Sequence, residues 1–349
     1  MEKYKFSNSR IYKINEKLNK KPYKYIYKEL LPKKVYDRLQ SEIYLLNQKT
    51  IAKDWDNILK DYFENKVRGK EIKAKKILTD EKIIAASTKV PENTDRVEWM
   101  ECNILQDEQF CALVDKVKDV KNLKVIFLAA FHHPDKVAEN PEYAWNVNVT
   151  TLSKCVNKLS FASRLFYAST DSVYGNSIEH YHFKEEDILS PVNIYGKNKA
   201  AAEAIIRYSG FNVVRYPFLI APSLVKGKEH FYDHIVNSLK AGKEVEMFCD
   251  SYRSSLNFKT AAELMIKLCE LPSNVPGILN VCGDDDLSKY DIGLMIADQF
   301  GFDKKLVKPI YMNDNTGEIF KSARALSTLM DNTKVKKILR LDTIKFELY

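Results

Sequence analysis

Glycine is scarce in the first half of this 349-residue sequence, where Gly69 is the only glycine before Gly175. Loops that cradle phosphate groups need closely spaced glycines, because side chains would hold the phosphate away from the backbone amides. The stretch before Gly175 contains no G-x-x-G-x-x-G pattern. A phosphate-binding turn of the ordinary glycine-rich kind is therefore excluded from this half of the chain.

Long apolar runs and paired cysteines are also absent. No run reaches the roughly 18 apolar residues of a membrane-spanning helix. The N-terminal "MEKYKFSNSR" lacks the apolar core of a signal peptide. The six cysteines are scattered, without a C-x-x-C pair or a Cys/His cluster at zinc spacing. We expect a soluble, cytoplasmic protein with reduced thiols, no metal site and no membrane partner.

Acidic residues are few compared with basic residues in the N-terminal part of the chain. Residues 1–76 carry 21 Lys+Arg against 10 Asp+Glu, whereas the whole chain has a net charge of only +8. Such a segment is able to contact nucleic acid or another anionic surface. A general lysine bias explains the same composition, so a solvated surface is the preferred interpretation and a nucleic-acid partner the weaker one.

The apolar pattern divides the chain into three parts. Residues 1–48 read as a basic helical appendage, clearest in "PKKVYDRLQSEIYLLN", whose apolar residues recur at helical spacing. We expect this appendage to pack on the rest of the protein or on a second subunit, which makes a homodimer an open possibility. Residues 49–222 form a Rossmann-like domain, and residues 223–349 a smaller substrate-binding lobe that returns some strands to the main sheet.

Short apolar runs alternate with helical stretches from about residue 49 onward. Alternation of this kind predicts an α/β fold with a doubly wound parallel sheet. The predicted strands are "KKILT", "RVEWMECNI", "KVIFLAA", "RLFYAST", "FNVVRYPFLI" and "GILNVCG", and the predicted helices include "EYAWNVNVTTLSKCVNKL", "YGKNKAAAEAIIRYS" and "FKTAAELMIKLCEL".

A tyrosine and a lysine four residues apart stand in "NIYGKNKAAAE". On a helix these positions share one face, so the Lys199 ammonium is expected near the Tyr195 hydroxyl. A nearby cation lowers the pKa of a phenol from its ordinary value of ~10 and readies it for proton transfer. Tyr62 and Lys66 have the same spacing, so the spacing alone proves nothing.

Polar residues that precede Tyr195 in the sequence support the prediction that this tyrosine transfers a proton. In "LFYASTDSVYG" an apolar strand turns polar at Ser169, Thr170 and Asp171. A hydroxyl at the carboxyl end of a central strand is well placed to hydrogen-bond a substrate oxygen. Thr170 as oxygen clamp, Tyr195 as acid/base and Lys199 as its electrostatic partner together predict a carbonyl/alcohol redox site.

These motifs resemble the extended short-chain dehydrogenase/reductases that modify nucleotide sugars. The resemblance covers residues 97–340 approximately and leans toward the dTDP-4-dehydrorhamnose reductase group. It rests on "VIFLAAFHHPDKVAENPEYAWNVNVTTL", "YASTDSVYG", "SPVNIYGKNKAAAE", "VVRYPFLIAP", "DSYRSSLNFKTAAELM", "GILNVCGDDDLSKYDIGLMIA" and "ARALSTLMDNTKVKKIL".

The resemblance implies a nicotinamide cofactor, NADP or NAD, and a nucleotide-sugar substrate. It assigns cofactor contacts to Ala129, Ala130, Tyr195, Lys199 and Pro217, and substrate contacts to Asp171, Arg253 and Arg324. An arginine suits a diphosphate because its planar fork meets two phosphate oxygens at once.

One departure from the family bears on the reaction. Dehydratases of this group follow the active-site threonine with an Asp-Glu pair, whereas Ser172 follows Asp171 here. The resemblance therefore favours reduction of a 4-keto sugar nucleotide, with an epimerase as the alternative.

A second departure bears on the cofactor. The family opens with a strand and a glycine-rich turn, and the matching strand falls near "QKTIA" with its turn at "KDWDNI". Asp54 and Asp56 then stand where phosphate belongs and would repel it. A start at "KKILTDEKII" offers no glycine either. A catalytically silent relative that binds a nucleotide sugar or a protein partner thus remains an alternative, and a nucleic-acid-associated relative a weaker one.

The histidines give weaker signals. His230 and His234 in "HFYDH" have helical spacing for two metal ligands, but no third ligand is in view. The "HYH" of residues 180–182 falls in a loop between the active-site strand and Tyr195. Loop histidines are the preferred interpretation there.

Overall fold

The computed structural model describes residues 82–90, 97–223, 229–275, 277–312 and 320–348. The helical appendage predicted for residues 1–48, the strand and turn predicted at "QKTIA" and "KDWDNI", and the pair of Tyr62 and Lys66 lie outside the described residues.

Strands and helices alternate along most of the described chain. The strands are β1 (Ile83–Ser87), β2 (Val97–Glu101), β3 (Lys124–Phe127), β4 (Arg164–Thr170), β5 (His182–Phe183), β6 (Asn212–Tyr216), β7 (Leu219–Ile220), β8 (Val245–Phe248), β9 (Tyr252–Arg253), β10 (Leu256–Asn257), β11 (Gly277–Asn280), β12 (Leu287–Ser288), β13 (Val307–Ile310) and β14 (Leu329–Met330). The α-helices are α1 (Asp107–Val117), α2 (Pro134–Glu139), α3 (Pro141–Trp145), α4 (Leu152–Lys158), α5 (Ile194–Tyr208), α6 (Phe231–Lys240), α7 (Phe258–Glu270), α8 (Lys289–Phe300) and α9 (Thr333–Leu339). A π-helix, Asn146–Thr151, joins α3 to α4.

The main sheet has the strand order β11-β6-β4-β3, and every pair in it is parallel. Its strands are short apolar runs rich in β-branched residues, and all five residues of β6 are buried. Helices that pack on both faces of a parallel sheet bury the side chains on both sides of its strands. The predicted α/β fold with a doubly wound parallel sheet is confirmed.

Alternate residues of the central strands enter two different cores. Leu165 and Tyr167 of β4 pack with α1, α4 and α5 on one face, in a cluster that also holds Phe110 and Phe127. Phe166 of β4 packs with α7 on the other face. The strands β1 and β2 form a parallel pair that packs against the first of these clusters. The contacts come from Ile84 of β1 and from Cys102, which directly follows β2.

A third cluster forms the small lobe around α6, α8, β8 and β13. The strand β8 pairs with β13 in parallel, and β9 pairs with β12 in antiparallel orientation. The strand β11 belongs to the sequence beyond residue 222, yet it pairs with β6 of the main sheet. The division at residues 222 and 223 stays a prediction.

In the part of the chain that the structure describes, no helix has the length and apolar character needed to cross a membrane.

Candidate active site

A cavity of about 480 Å3 opens at the carboxyl ends of β3, β4 and β6. Parallel strands end at the same edge of a sheet, which is where open α/β sheets place their ligands. The cavity gathers all but one of the site residues predicted from the sequence, namely Ala130, Thr170, Asp171, Tyr195, Lys199, Pro217, Arg253 and Arg324. Ala129 is the exception, because it packs against the core cluster beneath the sheet edge.

The start of α5 places Tyr195 beside Thr170. The Asn193 side chain caps the helix by accepting a hydrogen bond from the Gly196 amide at 2.8 Å. Gly196 permits a close approach to the turn after β4, because a Cβ there would lie 2.1 Å from the Ser172 carbonyl oxygen. The cap and the missing side chain together fix the first turn of α5 against the end of β4.

Tyr195 is held in its protonated form. Burial raises the pKa of its phenol above the ordinary value, the Asp171 carboxylate adds to the increase, and a hydrogen bond with Thr170 opposes it. The raised pKa keeps the phenol protonated around neutral pH, although it also makes the phenol a weaker acid than a free tyrosine. The expectation that this pKa is lowered is wrong for this structure.

Lys199 explains the difference, since it does not point at the Tyr195 phenol. Its ammonium donates a hydrogen bond to the Ala168 carbonyl oxygen at 2.6 Å and lies 4.0 Å from the centre of the Tyr167 ring. Lys199 is 2% exposed. Burial lowers its pKa to about 7, although the Glu203 carboxylate acts in the opposite direction.

A buried polar network supports this site from below, and the sequence analysis missed it. Glu203 accepts hydrogen bonds from Ser169 at 2.5 Å and from Arg215, whose Nη2 lies 2.6 Å away. Arg215 also donates to the Tyr174 hydroxyl at 2.5 Å. The only sequence signal was a charged residue inside each of two apolar segments, "AAAEAII" and "NVVRY".

Asp171 is engaged within the protein. Its Oδ1 accepts a hydrogen bond from Thr170 at 3.0 Å, and its Oδ2 accepts one from Thr328 at 2.5 Å. The Arg253 guanidinium lies 3.5 Å from the same Oδ2. Asp171 therefore orients the Thr170 hydroxyl and balances the charge of Arg253, although it lines the cavity as predicted.

The donors of Arg253 are used mainly by the backbone. Its Nη1 donates to the carbonyl oxygens of Tyr252 at 2.7 Å and Leu326 at 2.9 Å, and its Nη2 donates to that of Ala325 at 2.7 Å. Burial lowers the pKa of Arg253, and the Asp171 carboxylate opposes that change. This geometry gives Arg253 a structural role in joining β9 to the segment before β14.

Arg324 is also paired. Its Nη2 donates to Asp135 Oδ2 at 2.8 Å, its Nη1 donates to the Ser322 carbonyl oxygen at 2.9 Å, and its guanidinium stacks 4.7 Å from the Phe320 ring centre. The structure thus places both predicted substrate arginines in the cavity wall with their charges compensated.

The loop after β3 completes the wall next to Ala130. The Asn148 side chain, inside the π-helix, accepts a hydrogen bond from the Phe131 amide at 2.7 Å and donates to the Phe131 carbonyl oxygen at 2.9 Å. This two-sided contact fixes the loop at the cavity. The π-helix and its asparagine were not predicted.

The residues near Tyr195 fit the nicotinamide end of a dinucleotide. Ala130 and Pro217 leave the cavity open at the ends of β3 and β6, while Tyr195 and Lys199 supply a hydroxyl and an amine. The turn that would hold the pyrophosphate falls outside the described residues.

The histidines do not form a metal site in the described ranges, which contain no group of three or more candidate ligands. His182 Nε2 lies 2.8 Å from Asp286 Oδ1, and His180 Nδ1 lies 3.9 Å from the other oxygen of that carboxylate. His230 precedes α6 as its N-cap, and His234 lies one turn into the helix.

The described chain has a Rossmann-like α/β fold with a cavity at the carboxyl edge of its parallel sheet. A sequence profile for the RmlD substrate binding domain matches residues 68–348, and the chain belongs to that family. The resemblance noted from the sequence motifs is confirmed.

Two solved structures show the same fold. A hypothetical dTDP-4-dehydrorhamnose reductase from Sulfolobus tokodaii superposes with a TM-score of 0.61 at 23% identity, covering 76% of this chain and 90% of that one. The dTDP-4-dehydrorhamnose reductase of Bacillus anthracis, solved in complex with NADP, gives a TM-score of 0.61 at 17% identity and covers 72% and 85%.

The chain is also similar to a curated protein whose name does not describe a reductase. Methionine adenosyltransferase 2 subunit beta from Rattus norvegicus is 26% identical over 222 residues. That match covers 62% of this chain and 65% of the rat protein, so the chain spans slightly less than two thirds of this relative.

Proposed function

We propose that this protein is a nicotinamide-dependent reductase of a 4-keto sugar nucleotide. The observation that carries the proposal is that Thr170, Tyr195 and Lys199 line one cavity at the sheet edge. Reduction of a ketone needs a proton at the oxygen as hydride arrives at the carbon. Tyr195 is the group in this cavity that is suited to give that proton.

The roles of the neighbouring residues follow from their contacts. Thr170 donates to Asp171 and accepts from the Ser172 amide at 3.2 Å, so its hydroxyl is fixed at the cavity wall. To hold the sugar carbonyl oxygen, it would turn its one proton from Asp171 to the substrate. Tyr195 and Lys199, with Ala130 and Pro217 beside them, would hold the nicotinamide and its ribose. When bound, NADP or NAD in reduced form supplies the hydride.

The surroundings of Asp171 favour reduction over dehydration. Elimination of water needs a carboxyl group that is free to exchange protons with the sugar, whereas Asp171 is tied to Thr328 and Arg253. A nucleotide sugar as substrate is supported by the dTDP-sugar reductases that share the fold.

The test is oxidation of NADPH and NADH, followed by absorbance, in the presence of a dTDP-linked or UDP-linked 4-keto sugar. Tyr195→Phe keeps the ring and removes the proton, so turnover should fall roughly 100- to 10,000-fold with little change in substrate binding. Tyr62→Phe, which alters the other Tyr/Lys pair of the same spacing, should behave like the wild type. Equal turnover by the wild type and Tyr195→Phe would refute the proposal.

A second candidate function is that of a non-catalytic subunit. The specific observations in its favour are the name of the rat relative and the missing glycine-rich turn. A protein that assembles with a methionine adenosyltransferase catalytic chain, but neither binds nor oxidises NADPH or NADH, would establish this candidate instead.

A further inference from the structure

Lys289 is a cation in the cavity wall that the predicted site did not include. It is the first residue of α8, and its side chain lines the same cavity as Tyr195. Within the described ranges, no hydrogen bond or ion pair reaches its ammonium. Placing an ammonium in a half-buried wall without an anion costs free energy, so the position needs an explanation.

Phenylalanine rings surround this ammonium. The ring centres of Phe231, Phe218 and Phe248 lie 5.2, 5.6 and 5.9 Å from Lys289 Nζ. Ring faces attract a cation and partly replace its water. They hold the ammonium at the cavity while supplying no negative charge to neutralise it.

The charged groups near Lys289 do not neutralise it either. Arg253 and Arg324 both act to lower its pKa, after the larger effect of burial, to about 8. Each arginine has its own carboxylate, Asp171 and Asp135. On α8 itself, the Asp291 carboxylate accepts hydrogen bonds from the Ser288 amide and hydroxyl as part of the helix cap. Lys289 thus has no carboxylate partner in the part of the chain that the structure describes.

A second polar group of the wall also lacks a partner. The β9–β12 pairing places Leu287 opposite Arg253, and the alternate residues Ser255 and Lys289 line the cavity with them. Ser255 is 0% exposed, and its hydroxyl has no hydrogen-bond partner among the described residues.

We infer that Lys289 anchors the diphosphate of the nucleotide sugar, and that Arg253 and Arg324 serve the fold. The inference rests on the proposed function, because it names the residue that recognises the anionic part of that substrate. Phosphate oxygens would accept hydrogen bonds from the ammonium, whose three donors have no other acceptor in the described part of the chain.

The experiment is calorimetric titration of the full chain with dTDP, UDP and inorganic pyrophosphate, and with thymidine and uridine as uncharged probes. Lys289→Met should weaken dTDP and UDP binding roughly 10- to 100-fold, which is the worth of a charge-assisted hydrogen bond. Binding of the two nucleosides should not change. Lys289→Arg should restore most of the diphosphate affinity, and the exposed Lys337→Met should match the wild type.

Thermal stability gives a second readout. Replacing Lys289 by methionine should lower ligand affinity without lowering the stability of the ligand-free protein. Because Lys289→Met removes an uncompensated cation, its midpoint of thermal unfolding without ligand should equal or exceed that of the wild type. A merely structural lysine would lower both stability and affinity when replaced, and that result would overturn the inference.

Two further results would also overturn it: unchanged dTDP and UDP affinity in Lys289→Met, or a wild type that binds neither a nucleoside diphosphate nor pyrophosphate. Titration with NADPH and NADH separates this inference from the proposed function. Cofactor binding and Tyr195-dependent turnover that persist while Lys289→Met binds dTDP normally would leave the reductase proposal intact.

Discussion

At the scale of single residues, Lys199 shows how burial sets the chemistry of this site. Its ammonium is directed at the Ala168 carbonyl oxygen and the Tyr167 ring, and burial lowers its pKa to about 7. At neutral pH the amine is therefore close to half protonated. The charge of Lys199 therefore changes near neutral pH.

A stability measurement tests this placement of Lys199. Between about pH 7 and its ordinary pKa of 10.5, the unfolded chain binds a proton at Lys199 that the native protein does not. The free energy of unfolding therefore rises with pH across this window. Lys199→Met removes this dependence, so its advantage over the wild type should be largest at pH 7 and below, and should shrink toward pH 10.

Urea denaturation at several pH values measures that difference, with the exposed Lys240→Met as the control for loss of a surface lysine. A difference between Lys199→Met and the wild type that stays constant from pH 6 to pH 10 would show that Lys199 is charged throughout.

The sequence identified eight of the residues that line the cavity but not the direction in which their side chains point. Helical spacing places Tyr195 and Lys199 on one face, yet a flexible lysine side chain can reach either the phenol or the Ala168 carbonyl oxygen. Likewise, Lys289 in "LSKYD" reads as an ordinary residue at a helix start, because nothing local to it announces the three phenylalanine rings. These contacts come from segments far apart in sequence.

At the scale of elements, Arg253 joins β9 to the segment that leads into β14. It donates to the carbonyl oxygens of Ala325 and Leu326 and faces Asp171 at the end of β4. Three parts of the chain that form the cavity wall therefore depend on one guanidinium. The resemblance to a family gave this arginine a substrate contact, whereas the geometry indicates a structural bond.

Replacing Arg253 tests which role is correct. Arg253→Ala leaves the Asp171 carboxylate buried beside unpaired carbonyl groups, so the free energy of unfolding should fall by about 3–5 kcal/mol. Arg207→Ala, at an exposed position on α5, should cost less than about 1 kcal/mol. An Arg253→Ala protein as stable as the wild type but unable to bind dTDP would restore the substrate role.

The strands and helices themselves were well predicted, for a physical reason. The runs that became β3, β4, β6 and β11 are mostly apolar, as is typical of strands buried on both faces. The charged Arg215 inside β6 is paired with Glu203. The two-residue strands β5, β7, β9, β10, β12 and β14 lack such a signal, because tertiary contacts at the cavity wall define them. The change from α-helix to π-helix at residues 146–151 likewise depends on how these buried residues pack against the rest of the protein.

At the scale of the whole molecule, a nucleotide-sugar reductase fold is combined with a sequence that has no glycine-rich turn in its first half. In the described part, the proposed proton donor Tyr195 and the proposed diphosphate anchor Lys289 line the same cavity. The expected pyrophosphate turn lies outside the described residues. The proposed function requires that the full chain bind a reduced nicotinamide, whose hydride must reach the keto sugar in the cavity.

Transfer of deuterium tests this central claim most directly. The full chain is incubated with a 4-keto dTDP-sugar and NADPH or NADH carrying deuterium at the transferable position of the nicotinamide, and the sugar is analysed by mass spectrometry. The account predicts that the wild type yields an alcohol with deuterium on the former carbonyl carbon, and that Tyr195→Phe yields far less over the same time. A wild-type reaction that leaves the keto sugar intact and free of deuterium with both cofactors would contradict it.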